Sequence, residues 1–235
     1  MNLEPRSLVL PLLILFLLTT TLAVSGHKYL ETEGGTGRED PILVPDHQIS
    51  WAAYEELGAE DEVDYYRFTA KSGEEIYASL LIPRIDRLSQ FKPDLALIGP
   101  GLEEGKGSPA KPGQLPLEVR NGEDLLVKRY EENNAESFFE PFTQTNYWEH
   151  QVIRKRATED GIYHLAVWSQ EAKTGKYVLA IGEKEAFGPQ DLLEYPSVWW
   201  KVRMHNEKKF STYLITGTVV FGLLGGSYLL IKSLL

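Results

Sequence analysis

Few residues in this chain are equipped for catalysis, and they are scattered. Cysteine is absent, which excludes thiol chemistry, disulfides, thiolate metal sites and cysteine-linked lipid anchors. The histidines His27, His47, His150, His164 and His205 lie far apart, without HExxH or any other ligand spacing, so neither zinc nor copper is signalled. His164 alternates with Ile162 and Ala166 along a strand and reads as a satisfied core or surface histidine. No serine stands in a GxSxG setting, and no glycine-rich phosphate loop occurs. No catalytic residue is therefore expected. A hydrolase or lyase would have to gather Glu, Tyr and His from separate strands, which a linear reading does not reveal.

Two clusters remain. The acidic turn Glu60, Asp61, Glu62 and Asp64 offers hard oxygen atoms, and Asp61, Glu62 and Asp64 form a weak calcium candidate. The spacing lacks the glycine and distal glutamate of an EF-hand loop, so a solvated turn opening a strand is the simpler reading, and no other cofactor is expected. The second cluster is aromatic: Phe138, Phe139, Phe142, Tyr147 and Trp148 surround Pro141. Such rings form a binding surface for a sugar or a partner chain, or else they fill the core beneath a long loop.

The elements that hold these residues follow from hydropathy. Residues 8–24 form an uncharged apolar run preceded by Arg6 and followed by Ala23, Val24, Ser25 and Gly26, the layout of an export signal cleaved after Ser25 or retained as an anchor. Residues 212–231 carry no charge and match the length of a membrane-spanning helix. Trp199, Trp200, Phe210, Tyr213 and Lys232 are placed to mark the membrane interface, although Trp199 and Trp200 would serve equally to pack the base of the domain. Lys201, Arg203, Lys208 and Lys209 precede the helix and Lys232 alone follows it, a bias opposite to the positive-inside rule for an exported domain. Gly222 to Gly226, with Gly217, supplies small residues that permit a helix partner in the membrane.

Between the two apolar ends the texture is that of short β-strands separated by turns. Residues 63–70 and 75–82 read as a hairpin closed by Lys71 to Glu74, with Ile76, Ala78, Leu80 and Ile82 on one face. Strands are also expected at 95–98, 125–129, 162–169 and 176–182, with a loop over 103–116. Pro189 and Asp191 open a helical turn that Pro196 interrupts, and Ser197 caps a new helix running into the membrane span. The expected organisation is a signal segment (1–25), a flexible leader (26–41), an antiparallel jelly-roll-like β-sandwich (42–186), a juxtamembrane helical segment (187–211), a transmembrane helix (212–231) and a tail (232–235).

The segments DEVDYYRFTAKSGE (Asp61 to Glu74), DLALIGPG (Asp94 to Gly101), EDGIYHLAVW (Glu159 to Trp168) and TGKYVLAIG (Thr174 to Gly182) resemble the bacterial pre-peptidase C-terminal domain. That resemblance covers about half the chain. It implies a jelly-roll-like, non-catalytic module with an accessory role in substrate targeting, adhesion or polymer binding. The context departs from the family, because no peptidase domain precedes the module and an apolar helix follows it. Residues 26–200 hold 18 basic and 32 acidic residues, and a formal charge of −14 repels phosphate backbones, so nucleic acid is excluded as a partner. The expected function is a membrane-anchored extracytoplasmic binding module whose partners are membrane lipid and a protein or glycan. The alternative is a structural subunit of an envelope or membrane complex, assembled through its membrane helix.

Overall fold

The computed structural model describes residues 27–32, 35, 37–102, 115–130, 136–186 and 188–234. The expected signal segment and most of the expected 103–116 loop lie outside the described residues. The chain is mainly β, in two stacked sheets. One carries the order β1(Lys28–Tyr29), β3(Trp51–Leu57), β11(Gly175–Ile181), β5(Glu75–Pro83), β9(Thr145–Arg156), β8(Glu136–Glu140). The other carries β2(Ile42–Leu43), β4(Val63–Ala70), β10(Gly161–Ser169), β6(Pro93–Gly99), β7(Asp124–Lys128). Below they are sheet A and sheet B. Pairing is antiparallel except at two edges, where β1 joins β3 and β2 joins β4 in parallel.

Strand periodicity builds the core. Tyr66 and Phe68 of β4, Ile76, Ala78, Leu80 and Ile82 of β5, Leu165 and Val167 of β10, and Leu179 and Ile181 of β11 all meet between the sheets. Alternate residues of the same strands face outward, and both outer faces are covered. Leu115, Leu117 and Val119 lie over Ala96, Ile98, Val127 and Trp168 of sheet B. That cover is tied down by the buried Arg38, whose guanidinium donates to the Glu118 carbonyl and the Glu123 carboxylate.

Three expectations are corrected. Strands β4 and β5 are not a hairpin, because they belong to different sheets, and β4 pairs with β10 while β5 pairs with β11 and β9. The turn signature of Lys71 to Glu74 makes a sheet-crossing corner instead: Gly73, at φ +91°, donates its N–H to Ala157 O, and Ser72 N donates to Asp160 Oδ1. The supposed leader is partly ordered into the sandwich, with Lys28–Tyr29 as an edge strand and Leu30 and Arg38 buried. Finally, Pro196 does not interrupt the juxtamembrane helix. A single helix, α1, runs from Pro189 to His205, with exposed Pro196 inside it. Pro196 gives up one helical hydrogen bond, and the helix continues through it. The break comes later, where Glu207 takes φ 57° and the Asn206, Glu207 and Lys208 N–H groups fold back onto Val202, Met204 and Arg203 carbonyls.

Helix α2(Lys209–Leu234) follows. Its span 209–229 is long and apolar enough to cross a membrane, and almost none of it is buried within the protein.

One polar cluster crosses the core. Tyr177 OH donates to Asp64 Oδ2 at 2.5 Å and lies 2.7 Å from Tyr66 OH, joining β11 to β4 between the sheets. Burial pushes the Asp64 carboxyl up to about 7, against an unfolded value near 3.9. The folded state therefore favours the acid form. This contribution is complete below about pH 4 and is lost as pH rises through about 7. Asp64→Asn should consequently gain on the native chain between pH 5 and pH 8, by at most about 3 kcal/mol. Melting both proteins in neutral detergent at the two pH values checks this, and a constant difference would contradict it.

Candidate functional site

Helix α1 does not lie flush on sheet A. Its C-terminal half is packed down, with Val202 and Arg203 buried, over the outer patch formed by Ala52, Tyr147, Val178 and Ala180. Its N-terminal half stands off and leaves a groove of about 660 Å³. Tyr29 of β1, Trp51 and Tyr54 of β3, Phe138 and Glu140 of β8, and Asp191, Glu194, Tyr195 and Val198 of α1 line this space. The two edge strands of one six-stranded sheet thus face the same groove. An aromatic-walled cleft with a few convergent polar groups is the form that binding sites commonly take.

The groove walls are fixed by local bonds. At the helix start, Gly188 N donates to Asp191 Oδ2, and Lys28 Nζ pairs with Asp191 Oδ1 at 2.9 Å, joining α1 to β1. The β8–β9 turn is capped by Glu140, which accepts from Phe142 N at 2.9 Å, from Thr143 N at 2.6 Å and from the Thr143 hydroxyl. Phe142 meets Tyr195 at a tilt with centroids 3.6 Å apart, and Tyr29 stacks on Tyr54 at 5.6 Å. Lys28 Nζ lies 5.5 Å from the Trp51 ring centre and Lys201 Nζ 4.9 Å from that of Tyr29. His27 Nδ1 is 2.6 Å from Ser50 Oγ, and burial holds its pKa below the usual histidine range, so it is neutral at pH 7. Burial above all, with the Glu140 carboxylate adding to it, raises the phenols of Tyr54, Tyr147 and Tyr195, which stay protonated.

Below the groove sits a second cluster. Arg203 is 2% exposed and has no carboxylate partner among the described residues. Its Nε donates to Thr212 Oγ1 at 2.9 Å, Nη1 to the Thr143 carbonyl at 2.6 Å and Nη2 to Ser211 Oγ at 2.6 Å, while Trp199 covers its plane at 4.8 Å. One side chain thereby joins α1, the start of α2 and the β8–β9 turn. Asn206 Nδ2 adds a bond to Tyr147 OH at 2.8 Å.

The aromatic segment singled out in the sequence is divided by strand parity. Phe138 and Phe142 line the groove, and Tyr147 is buried behind it. Phe139 is exposed outside the groove, while Trp148 packs against the main core. The calcium candidates are engaged separately: Glu62 Oε2 accepts from Gly58 N and Ala59 N, and Asp64 faces inward to Tyr177. Among the described residues no three His, Asp or Glu side chains gather as a metal site. His47 stacks on Phe68, His150 lies tilted against Tyr130, His205 packs edge to face with Tyr54, and burial brings His150, His164 and His205 down to about 4. Of the interface residues, Trp199 and Trp200 are half-buried, Trp200 edge-on to Tyr213 at 5.3 Å, while Phe210 and Lys232 are exposed. A linear reading missed His27, Tyr29, Trp51, Tyr54, Glu140, Glu194 and Tyr195, because only folding brings the two ends of the domain together. It also counted Arg203 as a juxtamembrane surface charge.

No family model and no curated protein matches the chain. Among solved structures it is similar to PliG, a periplasmic inhibitor of g-type lysozyme from Aeromonas hydrophila, at 11% identity over 67% of this chain and 95% of that one. The TM-score is 0.32, too low to carry an argument about fold or function.

If Arg203 latches the elbow between α1 and α2, Arg203→Met should open it while leaving the sandwich folded. Three charge-assisted hydrogen bonds are lost, at roughly 1.5 to 3 kcal/mol each, offset in part by no longer burying the cation. Trypsin cleavage after Lys208 and Lys209 should then quicken by about tenfold or more, and an unchanged rate would contradict the latch.

Proposed function

We propose that this protein is a membrane-anchored, extracytoplasmic binding module that acts by holding a partner in the groove between α1 and sheet A, without catalysis. The observation that carries this reading is the joining of an aromatic groove to a membrane-length helix through one elbow, so that whatever binds is held close to the bilayer. The resemblance to pre-peptidase C-terminal modules fits the same accessory role. Ser50 and His27 are the nearest approach to a catalytic pair, but Ser50 is buried and does not line the groove.

Export by the N-terminal segment belongs to this proposal. The bias of Lys201, Arg203, Lys208 and Lys209 runs against it, but the first apolar segment usually sets orientation, and outer-side basic residues are compatible with lipid phosphates.

The absence of cysteine makes a direct test simple. Leu193, 83% exposed, and Gln190, exposed on the groove wall, both lie on α1. With a membrane-impermeant maleimide on intact cells, Leu193→Cys should label at the rate of the purified protein, whereas Gln190→Cys should be protected by the occupant of the groove. Labelling of Leu193→Cys only after lysis would overturn the topology, and equal rates for Gln190→Cys in cells and in isolation would overturn the binding groove.

A further inference from the structure

The groove carries carboxylates that no described residue engages in an ion pair. Among the described residues neither Glu140 nor Glu194 forms an ion pair, while the nearby cations Lys28 and Lys201 are committed to Asp191 and Glu31. Glu140 is held by backbone N–H groups, which fix its position but leave its charge in place. Around it stand Tyr54, Phe138, Phe142 and Tyr195, whose ring faces attract cations. The walls already show this chemistry, since Lys28 lies over Trp51 and Lys201 over Tyr29.

Beside the groove runs β8, an edge strand. It pairs with β9 on one side, and among the described residues no strand pairs with the other. Phe138 and Glu140 of this strand line the groove. An extended chain added to that edge would place alternate side chains toward the same space.

We propose that the partner is a basic peptide segment, bound in extended form along β8, with a lysine or arginine side chain entering the groove between the aromatic walls and ending at Glu140 and Glu194. Aromatic faces take the aliphatic stem and the cation, and two carboxylates, Glu140 fixed by the β8–β9 turn and Glu194 on the surface of α1, select its charge. This rests on the groove being the binding site, as proposed above, and adds the chemical class of what it binds.

The test uses the full chain in neutral detergent and three fluorescent, end-capped hexapeptides that alternate leucine with arginine, glutamine or glutamate. The arginine peptide should bind, with the other two weaker by about tenfold or more. Glu140→Gln should weaken it similarly. Because Glu140 also caps the β8–β9 turn, Glu194→Gln, on the helix surface, serves as the second variant and should weaken binding several-fold. Asp124→Asn, at the far edge of sheet B, should leave it unchanged. Equal affinity for the glutamine peptide, insensitivity to both groove variants, or an equal loss with Asp124→Asn would overturn the proposal, the last by showing attraction to the acidic surface as a whole. Binding seen only in a chain starting at His27 would also overturn it, because the groove would then belong to the chain's own preceding residues. Protection of Gln190→Cys in cells without arginine-peptide binding would leave the groove as the binding site and reject only its cationic occupant.

Discussion

Burying Arg203 without a carboxylate fixes how the parts of this protein are joined. A guanidinium removed from water is costly unless its donors are met, and here they are met by acceptors on three separate elements: the Thr143 carbonyl in the β8–β9 turn, and the Ser211 and Thr212 hydroxyls at the start of α2. Trp199 covers the remaining face. Moving any one element away leaves a buried donor unpaired, which costs more than the bond itself contributes. The three elements therefore behave as one joint. Asn206 with Tyr147, and Glu207 with Arg87 and Lys176, extend it to the outer face of sheet A and to the turn after β5.

That joint has a consequence for binding. The residue whose carbonyl holds Arg203 is Thr143, and the same residue's N–H and hydroxyl hold Glu140 in the groove. The groove wall and the membrane elbow thus share one turn of chain. With α2 spanning a membrane, as proposed, a module built in this way would present its groove at a set height and angle above the bilayer, as a tether of flexible chain could not. Occupation of the groove and orientation of the anchor are expected to influence one another through this turn, because both depend on the bonds of Thr143.

Much of the architecture was legible in the chain. Alternation at Ile76, Ala78, Leu80 and Ile82 marks a half-buried strand whatever its partner, and an uncharged run of membrane length is as plain in α2. The turn from Lys71 to Glu74 was misleading, since glycine at positive φ serves a corner between sheets as well as a hairpin, and only the distant partners Ala157 and Asp160 decide between them. Phe138 to Trp148 stood out in the sequence but could not be sorted, because the direction of each ring depends on where the hairpin turns. The groove was not legible at all. Its walls come from Tyr29, Trp51 and Tyr54 on one side and Phe138, Glu140 and Tyr195 on the other, over 80 residues apart in the chain and adjacent only because the two edges of sheet A meet around α1. Arg203 was visible but misassigned, as an arginine beside a membrane helix resembles a surface charge until its burial is known.

The claim on which this account rests is that sandwich and anchor form one rigid body. Spin labels at Ile162, on the outer face of sheet B, and Tyr228, on α2, measure it directly in lipid nanodiscs by pulsed electron resonance, with a pair at Ile162 and Val152 as the reference within the sandwich; all three sites are exposed. A latched elbow predicts a single Ile162 to Tyr228 distance distribution as narrow as the reference. A broad or multiply peaked distribution would show a domain swinging freely on its anchor, and would contradict the account.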